Sequence, residues 1–251
     1  MVKKLKLLSL FSGIGGLDLG LERSGSMEPA AFCEIDPYCS RVLERHWPNV
    51  RQYDDIRTVT ADRLARDGIS VNAICGGFPC QDISYAGLGA GLSGDRSGLW
   101  FEYARLIGEL GPEVVVVENV TALLARGMGE VLGTLSDLGY DAEWDTVSAC
   151  SVGHSHVRSR VFIVAYSDRF DGREGLRHSL ARAFRTLQAG DGFASTRARQ
   201  RARLANPSEL YRGADGLPFG MERNRAIGNA VAPDVAEVIG AAILQSMEDA
   251  A

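Results

Sequence analysis

Three features of this chain have the residue types and spacing of a reacting centre. Cys80 stands in the loop sequence GGFPCQ directly after a predicted strand, where an exposed thiol could act as a nucleophile. Glu118 ends a run of four valines, and burial there would raise its pKa so that it could donate a proton. Arg158 and Arg160 share one side of a predicted strand and could orient a carboxylate, a phosphate or a carbonyl oxygen.

Structural roles can also explain these residues. Cys80 could be a small buried apolar residue, although the other cysteines, which lie in or beside predicted elements (Cys33, Cys39, Cys75 and Cys150), fit that role better. Glu118 could be a capping acid or one partner of an ion pair. The residues alone leave both interpretations open.

A second set of residues is typical of a nucleotide-binding edge. The glycine-rich turn FSGIGG at positions 11–16 follows the first predicted strand and precedes a helix, so its backbone amides can approach a ligand. A dinucleotide fingerprint would need glycine where Asp18 stands, so the ligand need not contain a pyrophosphate. Glu34 follows the second predicted strand at the distance expected for a ribose contact, and Asp55 could accept from an adenine amino group.

Alternating apolar runs and amphipathic segments predict an α/β fold with a Rossmann-like, mostly parallel sheet. The predicted strands are Lys6–Phe11, Ala30–Ile35, Ala73–Gly77, Val114–Glu118, Glu143–Ala149 and Arg160–Ala165. The predicted helices are Leu17–Glu22, Tyr38–His46, Leu99–Leu110, Gly129–Leu138 and Val235–Leu244. We expect a catalytic and cofactor-binding domain over residues 1–166 plus 222–251, because the last helix should pack back on the first domain.

The pattern changes after Tyr166, where arginine becomes frequent. Residues 167–217 contain ten arginines and six acidic residues, which gives +4 against −9 for the rest of the chain. Four arginines alternate with other residues at Arg197, Arg199, Arg201 and Arg203. Because arginine binds phosphate bidentately and can read guanine edges, we predict a short nucleic-acid recognition region over residues 167–221. A solvated arginine-rich loop is the alternative.

Composition narrows the class of protein. The 251 residues are 45% hydrophobic, carry a net charge of −5 and include five cysteines without a C-x-x-C pair. We therefore expect a single globular unit without a disulfide framework, metal site or membrane helix, located in the cytoplasm. Any nucleic-acid contact must be a local patch, because the net charge is negative.

The order of these motifs resembles the DNA cytosine-5 methyltransferase family. The resemblance rests on the turn at 11–16, Glu34, Asp55-Ile56, Phe78-Pro79-Cys80-Gln81, Glu118-Asn119-Val120, Arg158-x-Arg160 and Gly228-Asn229-Ala230-Val231. It covers nearly the whole chain outside residues 167–220. It implies the S-adenosylmethionine-dependent methyltransferase fold and transfer of a methyl group to C5 of a cytosine flipped out of double-stranded DNA.

The resemblance also assigns roles to residues. Cys80 would add to C6 of the cytosine with its pKa lowered by Arg158 or loop amides, Glu118 would engage N3 and the exocyclic amine, and Arg160 would hold O2. Cofactor-binding residues would be Phe11, Gly13, Gly15, Glu34, Asp55, Ile56, Pro79 and Asn229. Gln81 and Ser84 would contact the DNA backbone beside the flipped base.

Two other functions are open on the sequence. A tRNA cytosine-5 methyltransferase would share most catalytic residues, although this chain has Phe78 before Pro79 and lacks the Cys-Phe-Thr signature that the tRNA-modifying relatives carry. A catalytically inactive nucleic-acid-binding relative would have little reason to retain Cys80, Glu118, Arg158 and Arg160. For the active enzyme we expect a monomer and, in a restriction-modification system, a cognate restriction endonuclease. The family usually has glutamine at the position of His156 and a longer recognition region.

Overall fold

A seven-stranded sheet forms the centre of the protein. The structure is a computed structural model and describes residues 2–79, 98–152, 158–189 and 230–251. Its strands are β1 Leu5–Leu10, β2 Met27–Cys33, β3 Arg51–Tyr53, β4 Ala73–Gly76, β5 Val114–Val120, β6 Tyr140–Ser148 and β7 Ser159–Ser167. They lie in the order β3-β2-β1-β4-β5-β7-β6, and β7 is antiparallel to both neighbours. The prediction of a mostly parallel α/β sheet is confirmed.

Helices cover both faces of this sheet. They are α1 Gly16–Arg23, α2 Pro37–His46, α3 Ala61–Arg66, α4 Leu99–Leu110, α5 Leu123–Arg126, α6 Met128–Asp137, α7 Arg173–Ala189 and α8 Pro233–Asp249. One core lies between the sheet and the helices α3, α4, α5 and α6. The other core lies between the opposite face and the helices α1, α7 and α8.

The valine run of β5 shows why these strands are apolar throughout. Val115 and Val117 belong to the first core, while Val114 and Val116 belong to the second, and all four are fully buried. Successive side chains of a strand point to opposite faces, so a strand covered on both sides needs apolar residues at every position. Glu118 extends this run into a polar environment at the carboxyl end of the strand.

Four observed elements are absent from the predicted ones: β3, α3, α5 and α7. Strand β3 was missed because it has only three residues, of which Tyr53 alone is buried. Helix α7 was also missed, because its exposed arginines hide an apolar face formed by Leu176, Leu180 and Leu187. This face packs into the second core, so residues 173–189 are attached to the sheet. The division into a recognition region over 167–221 and a domain over 1–166 plus 222–251 stays a prediction.

The C-terminal helix packs directly on the first helix. A Cβ atom built on Gly16 would lie 2.3 Å from the carbonyl oxygen of Val231, and one on Gly20 would lie 2.2 Å from that of Pro233. Only glycine permits this approach of two backbones. The contact brings the start of α8, which follows Ala230 and Val231, beside the turn that follows β1.

Candidate functional site

A cavity of about 440 Å³ opens at the carboxyl end of the sheet. It lies where the strand order reverses, between β1 and β4, which is where open α/β sheets bind ligands. Nine of the predicted site residues line it: Phe11, Gly13, Glu34, Asp55, Ile56, Pro79, Glu118, Arg158 and Arg160. The structure therefore brings both predicted ends, nucleotide-binding and reacting, into one cavity.

The remaining predicted residues fall into two groups. Gly15 is described but does not line the cavity. It has a left-handed backbone with φ of 79°, and a Cβ atom there would lie 2.6 Å from the ring of Trp47. Its role in the structure is to shape the turn. The other predicted site residues lie outside the described residues: Cys80, Gln81, Ser84, Arg197, Arg199, Arg201, Arg203 and Asn229.

The turn after β1 forms one end of the cavity and is conformationally strained. Phe11 has a φ of 53°, the left-handed region that costs a non-glycine residue about 1–2 kcal/mol. Ser12 secures the turn, because its amide donates to the Cys33 carbonyl at 3.3 Å and its carbonyl accepts from Gly15 at 2.9 Å. The ring of Phe11 stacks on Tyr103 at 6.5 Å between centroids. The strain holds an aromatic ring at the cavity wall.

Glu34 is fixed directly beside this turn. Its Oε2 accepts from the Gly13 amide at 2.6 Å, and its Oε1 accepts from the Asp36 amide at 2.8 Å. Burial raises the pKa of Glu34, and these two hydrogen bonds oppose that rise. Each carboxylate oxygen retains a lone pair for a further donor. The side chain can therefore accept two hydroxyl groups of a ligand.

The third segment of the wall follows β3. The Asp55 carboxylate accepts from the Arg57 amide at 3.0 Å and thereby begins a short 3-10 helix, Ile56–Thr58. Ile56 is 4% exposed and gives this part of the wall an apolar surface. A flat apolar ring with polar edges could lie between Ile56 and the polar atoms of Asp54 and Asp55.

The loop after β4 leads from the sheet into the reacting end. Phe78 is buried against Trp100, with 5.3 Å between ring centroids, and its carbonyl accepts from the Asn119 side chain at 3.2 Å. Pro79 follows at the cavity wall. The described part of this loop therefore ends at the cavity wall.

Glu118 and two arginines form a charged cluster at this end. Arg160 Nε lies 2.9 Å from Glu118 Oε1, although its N–H is not directed at that oxygen. Val120 pairs with Arg160 across β5 and β7, so Glu118 and Arg160 share one face of the sheet. Burial raises the pKa of Glu118, opposed by the charges of Arg160 and Arg158. The raised pKa favours the protonated form of Glu118 beside two guanidinium groups.

A glycine gives Glu118 its space. A Cβ atom on Gly77 would lie 2.6 Å from Glu118 Oε2, so any larger residue would displace the carboxylate. Gly77 thus belongs to the site although it has no side chain to react.

Ile35 and Asn119 are among the wall residues that sequence reasoning missed. Ile35 lines the cavity and is 72% exposed, which is unusual for a large apolar side chain. Its position between Glu34 and Asp36 was the available signal. Asn119, which is 2% exposed, fastens the loop after β4 and could be identified only from its contact with Phe78.

The cysteines mostly agree with their expected structural roles. Cys33, Cys39 and Cys75 are buried free thiols. Cys150 is exposed instead, because it lies on the outer side of a 3-10 turn whose residues Ala149 and Val152 point into the protein. Within the described ranges, no group of three or more metal-ligating side chains is placed to hold an ion, and no helix is long and apolar enough to cross a membrane.

Comparison with known proteins identifies the family of this chain. The family described as C-5 cytosine-specific DNA methylase matches residues 5–203. Type II methyltransferase M2.BsuMI of Bacillus subtilis is 38% identical over 169 residues, which cover 64% of this chain and 42% of that protein. Type II methyltransferase M.DsaV of Dactylococcopsis salina is 30% identical over 171 residues, covering 66% and 47%. The chain spans about half the length of the curated relatives it matches.

Solved structures share the fold. A protein described as a DNA modification methyltransferase encoded within an E. coli prophage is 25% identical with a TM-score of 0.55, covering 65% of this chain and 47% of that one. The Entamoeba histolytica methyltransferase EhMeth is 19% identical with a TM-score of 0.57, covering 67% and 54%. The matched family and the sheet order together show that this chain belongs to the C-5 cytosine-specific DNA methylase family.

Proposed function

We propose that this chain transfers a methyl group from S-adenosylmethionine to C5 of a flipped cytosine in double-stranded DNA. One observation carries the proposal. A single cavity joins a nucleoside-binding end, with Phe11, Glu34 and Ile56, to a reacting end with Glu118 and Arg160. Family membership supports the same activity.

The first end of the cavity fits the methyl donor. Glu34 would accept the two ribose hydroxyls, while Phe11, Ile35 and Ile56 would contact the adenine ring and Asp55 its amino group. The amides of the glycine turn, together with Pro79 and Asn229, would hold the methionine end. When bound, S-adenosylmethionine supplies an electrophilic methyl group on a sulfonium. Acidic residues at this end suit a ligand with that positive charge.

The second end fits the edge of a cytosine. Glu118 in its protonated form would donate to N3 and accept from the exocyclic amine, and its raised pKa supports that form. Arg160 would donate to O2, and its Nε, 2.9 Å from Glu118 Oε1, would keep that side chain in place. Withdrawal of electrons at N3 and O2 makes C6 more electrophilic.

The reaction would then proceed through Cys80. Its thiolate forms a bond to C6, and the electrons of the C5–C6 double bond make C5 nucleophilic. C5 takes the methyl group, and the sulfonium sulfur keeps the electrons of the broken bond. Water then removes the C5 proton, and those electrons restore the double bond as the thiolate leaves. Arg158, at the cavity wall, would lower the pKa of Cys80.

The course of α7 supports a DNA contact beside this cavity. Arg173, at its start, pairs with Asp141 at the far end of β6, at 3.1 Å. Near its end Gln188 donates to Asp145 at 2.8 Å, and the helix contacts the turn after β6. The helix therefore runs toward the carboxyl end of β6, and the next described residue, Ala230, lies in the cavity wall. Residues between them, including Arg197, Arg199, Arg201 and Arg203, would contact DNA phosphates there, with Gln81 and Ser84 beside the flipped base.

The proposal includes the surroundings in which the enzyme would act. Relatives named Type II methyltransferases support a restriction-modification system with a cognate endonuclease. We expect the enzyme to act as a monomer on DNA in the cytoplasm. A tRNA cytosine-5 methyltransferase is the second candidate, because it would use the same cysteine and glutamate. The matched family, described as acting on DNA, favours the first candidate.

The decisive experiment offers both nucleic acids at once. The protein is incubated with S-adenosylmethionine carrying a deuterated methyl group, duplex DNA and tRNA, and the digested nucleosides are measured by mass spectrometry. We expect deuterated 5-methyldeoxycytidine and none in the Cys80→Ala variant, which should still bind the cofactor. Label in tRNA alone would favour the second candidate, and turnover by Cys80→Ala would refute the covalent route.

A further inference from the structure

Arg105, on α4, holds the segment that follows β3. Its Nη2 donates to the carbonyl oxygens of Ile56 at 3.1 Å and Val59 at 3.0 Å. Its Nε donates to Glu102 at 2.8 Å and its Nη1 to Glu109 at 2.7 Å, both on the same helix. The two carboxylates fix the guanidinium, and the guanidinium fixes two backbone carbonyls 46 and 49 residues earlier in the chain.

Glu109 provides a second attachment. Its Oε2 accepts from the amide of Ala61, the first residue of α3, at 3.0 Å. Arg105 and Glu109 together therefore span the segment from Ile56 to Ala61. We refer to these two side chains as the α4 clamp.

The segment has little regular structure of its own to hold it. It follows a strand of three residues and contains a 3-10 helix of three residues. Ile56 and Val59 are buried, and Ile56 lines the cavity. The twelve-residue helix α4, anchored in the core by Trp100 and Tyr103, is the rigid element to which this segment is tied.

We propose that Arg105 is a positioning residue that sets the adenine end of the cofactor cavity through the Ile56 and Val59 carbonyls. The inference rests on the proposed function, because it takes this end of the cavity to bind adenine. Arg105 itself touches no ligand. It places the backbone of Asp55 and Ile56 at a fixed distance from the opposite wall.

Lysine cannot replace arginine in this role. An ammonium group is a point charge without the planar fork that reaches two carbonyls and two carboxylates together. The loss of a hydrogen bond from a charged donor changes an equilibrium constant by about tenfold or more. We therefore expect Arg105→Lys and Arg105→Met to weaken binding of S-adenosylhomocysteine about tenfold or more, with kcat at saturating cofactor changed less than twofold.

Two measurements test the clamp. Calorimetry gives the Kd for S-adenosylhomocysteine, and hydrogen exchange reports on the amides of residues 56–61 without ligand. Arg66→Met is the matched control, because among the described residues Arg66 donates from its Nε to the Asp62 carbonyl within its own helix. We expect faster exchange over 56–61 in both Arg105 variants, unchanged exchange in β1 and β4, and little effect of the control on either measurement.

The outcomes separate the clamp from the proposed function. Unchanged exchange over 56–61, or an unchanged Kd with only a lower melting temperature, would overturn the positioning role while the methyltransferase activity stands. A fall in kcat at an unchanged KM would also overturn it. Failure of the wild-type chain to bind S-adenosylhomocysteine would overturn the proposed function, and the adenine role of Arg105 with it.

Discussion

Asp18 offers the sharpest test of how this site is built, because it is a fully buried acid beneath the glycine turn. It stands on α1, and its Oδ1 lies 3.6 Å from the thiol of Cys75. Among the described residues its Oδ2 has no hydrogen-bond partner. Burial raises the pKa of Asp18 from 3.8 to about 6, opposed by the hydroxyl of Ser9. The charged form therefore destabilises the folded protein near neutral pH.

The magnitude follows from linkage between protonation and folding. A pKa that rises from 3.8 to about 6 on folding corresponds to about 3 kcal/mol, since one pKa unit is about 1.4 kcal/mol. Below pH 3.8 the carboxyl is neutral in both the folded and the unfolded state, so the full contribution of about 3 kcal/mol to the free energy of unfolding is present. It is lost as the pH rises through about 6.

The assay is urea unfolding of Asp18→Asn and of the wild type at pH 5 and pH 8. Asparagine keeps the shape but cannot ionise, so the free energy of unfolding of the variant should rise by about 1–2 kcal/mol relative to the wild type between these pH values. Asp62→Asn, on the exposed side of α3, serves as the control. A difference between Asp18→Asn and the wild type that stays constant with pH would refute the reasoning.

Three further predictions concern the site, the packing and the DNA contact. Gly77→Ala should move the Glu118 carboxylate by about 1 Å and reduce kcat about 100-fold while cofactor binding persists, and wild-type kcat would contradict the assigned contact. Gly20→Ala, which meets the Pro233 carbonyl, should lower the free energy of unfolding in urea by about 1–3 kcal/mol. Gly129→Ala in α6, with open space around it, should not lower it, and equal effects would refute the packing argument. Alanine at Arg197, Arg199, Arg201 and Arg203 should weaken DNA binding. If all four arginines contact phosphates, the steepness of log K against log salt concentration should decrease by about 3–4. An unchanged slope would exclude these arginines from the interface.

Sequence patterns predicted the parts of the fold that depend on local periodicity. The valines of β5 indicated a buried strand, and the glycine turn indicated backbone amides that can approach a ligand. Strand β3 was not predicted because three residues are too few to show a periodic pattern. Helix α7 was not predicted because arginine dominates its exposed side, although its leucines recur at helical spacing.

The site was predicted as far as residue type and strand ends allow. Glu34 and Glu118 each follow or end a strand, and parallel strands bring such ends together at one edge of the sheet. Arg105 could not be predicted, because its partners are backbone carbonyls in a loop distant in sequence. Asp18 interrupts a known fingerprint, but nothing in the sequence indicated that its carboxyl group is fully buried.

The protein is proposed to transfer a methyl group to C5 of cytosine, and this product resists bisulfite conversion. The most direct measurement is bisulfite sequencing of DNA from cells that express the wild-type chain, beside cells that express Cys80→Ala. We predict protected cytosines at a recurring short sequence in the first DNA and none in the second. Complete conversion of both DNA samples, or equal protection in both, would contradict the proposed methyl transfer through Cys80.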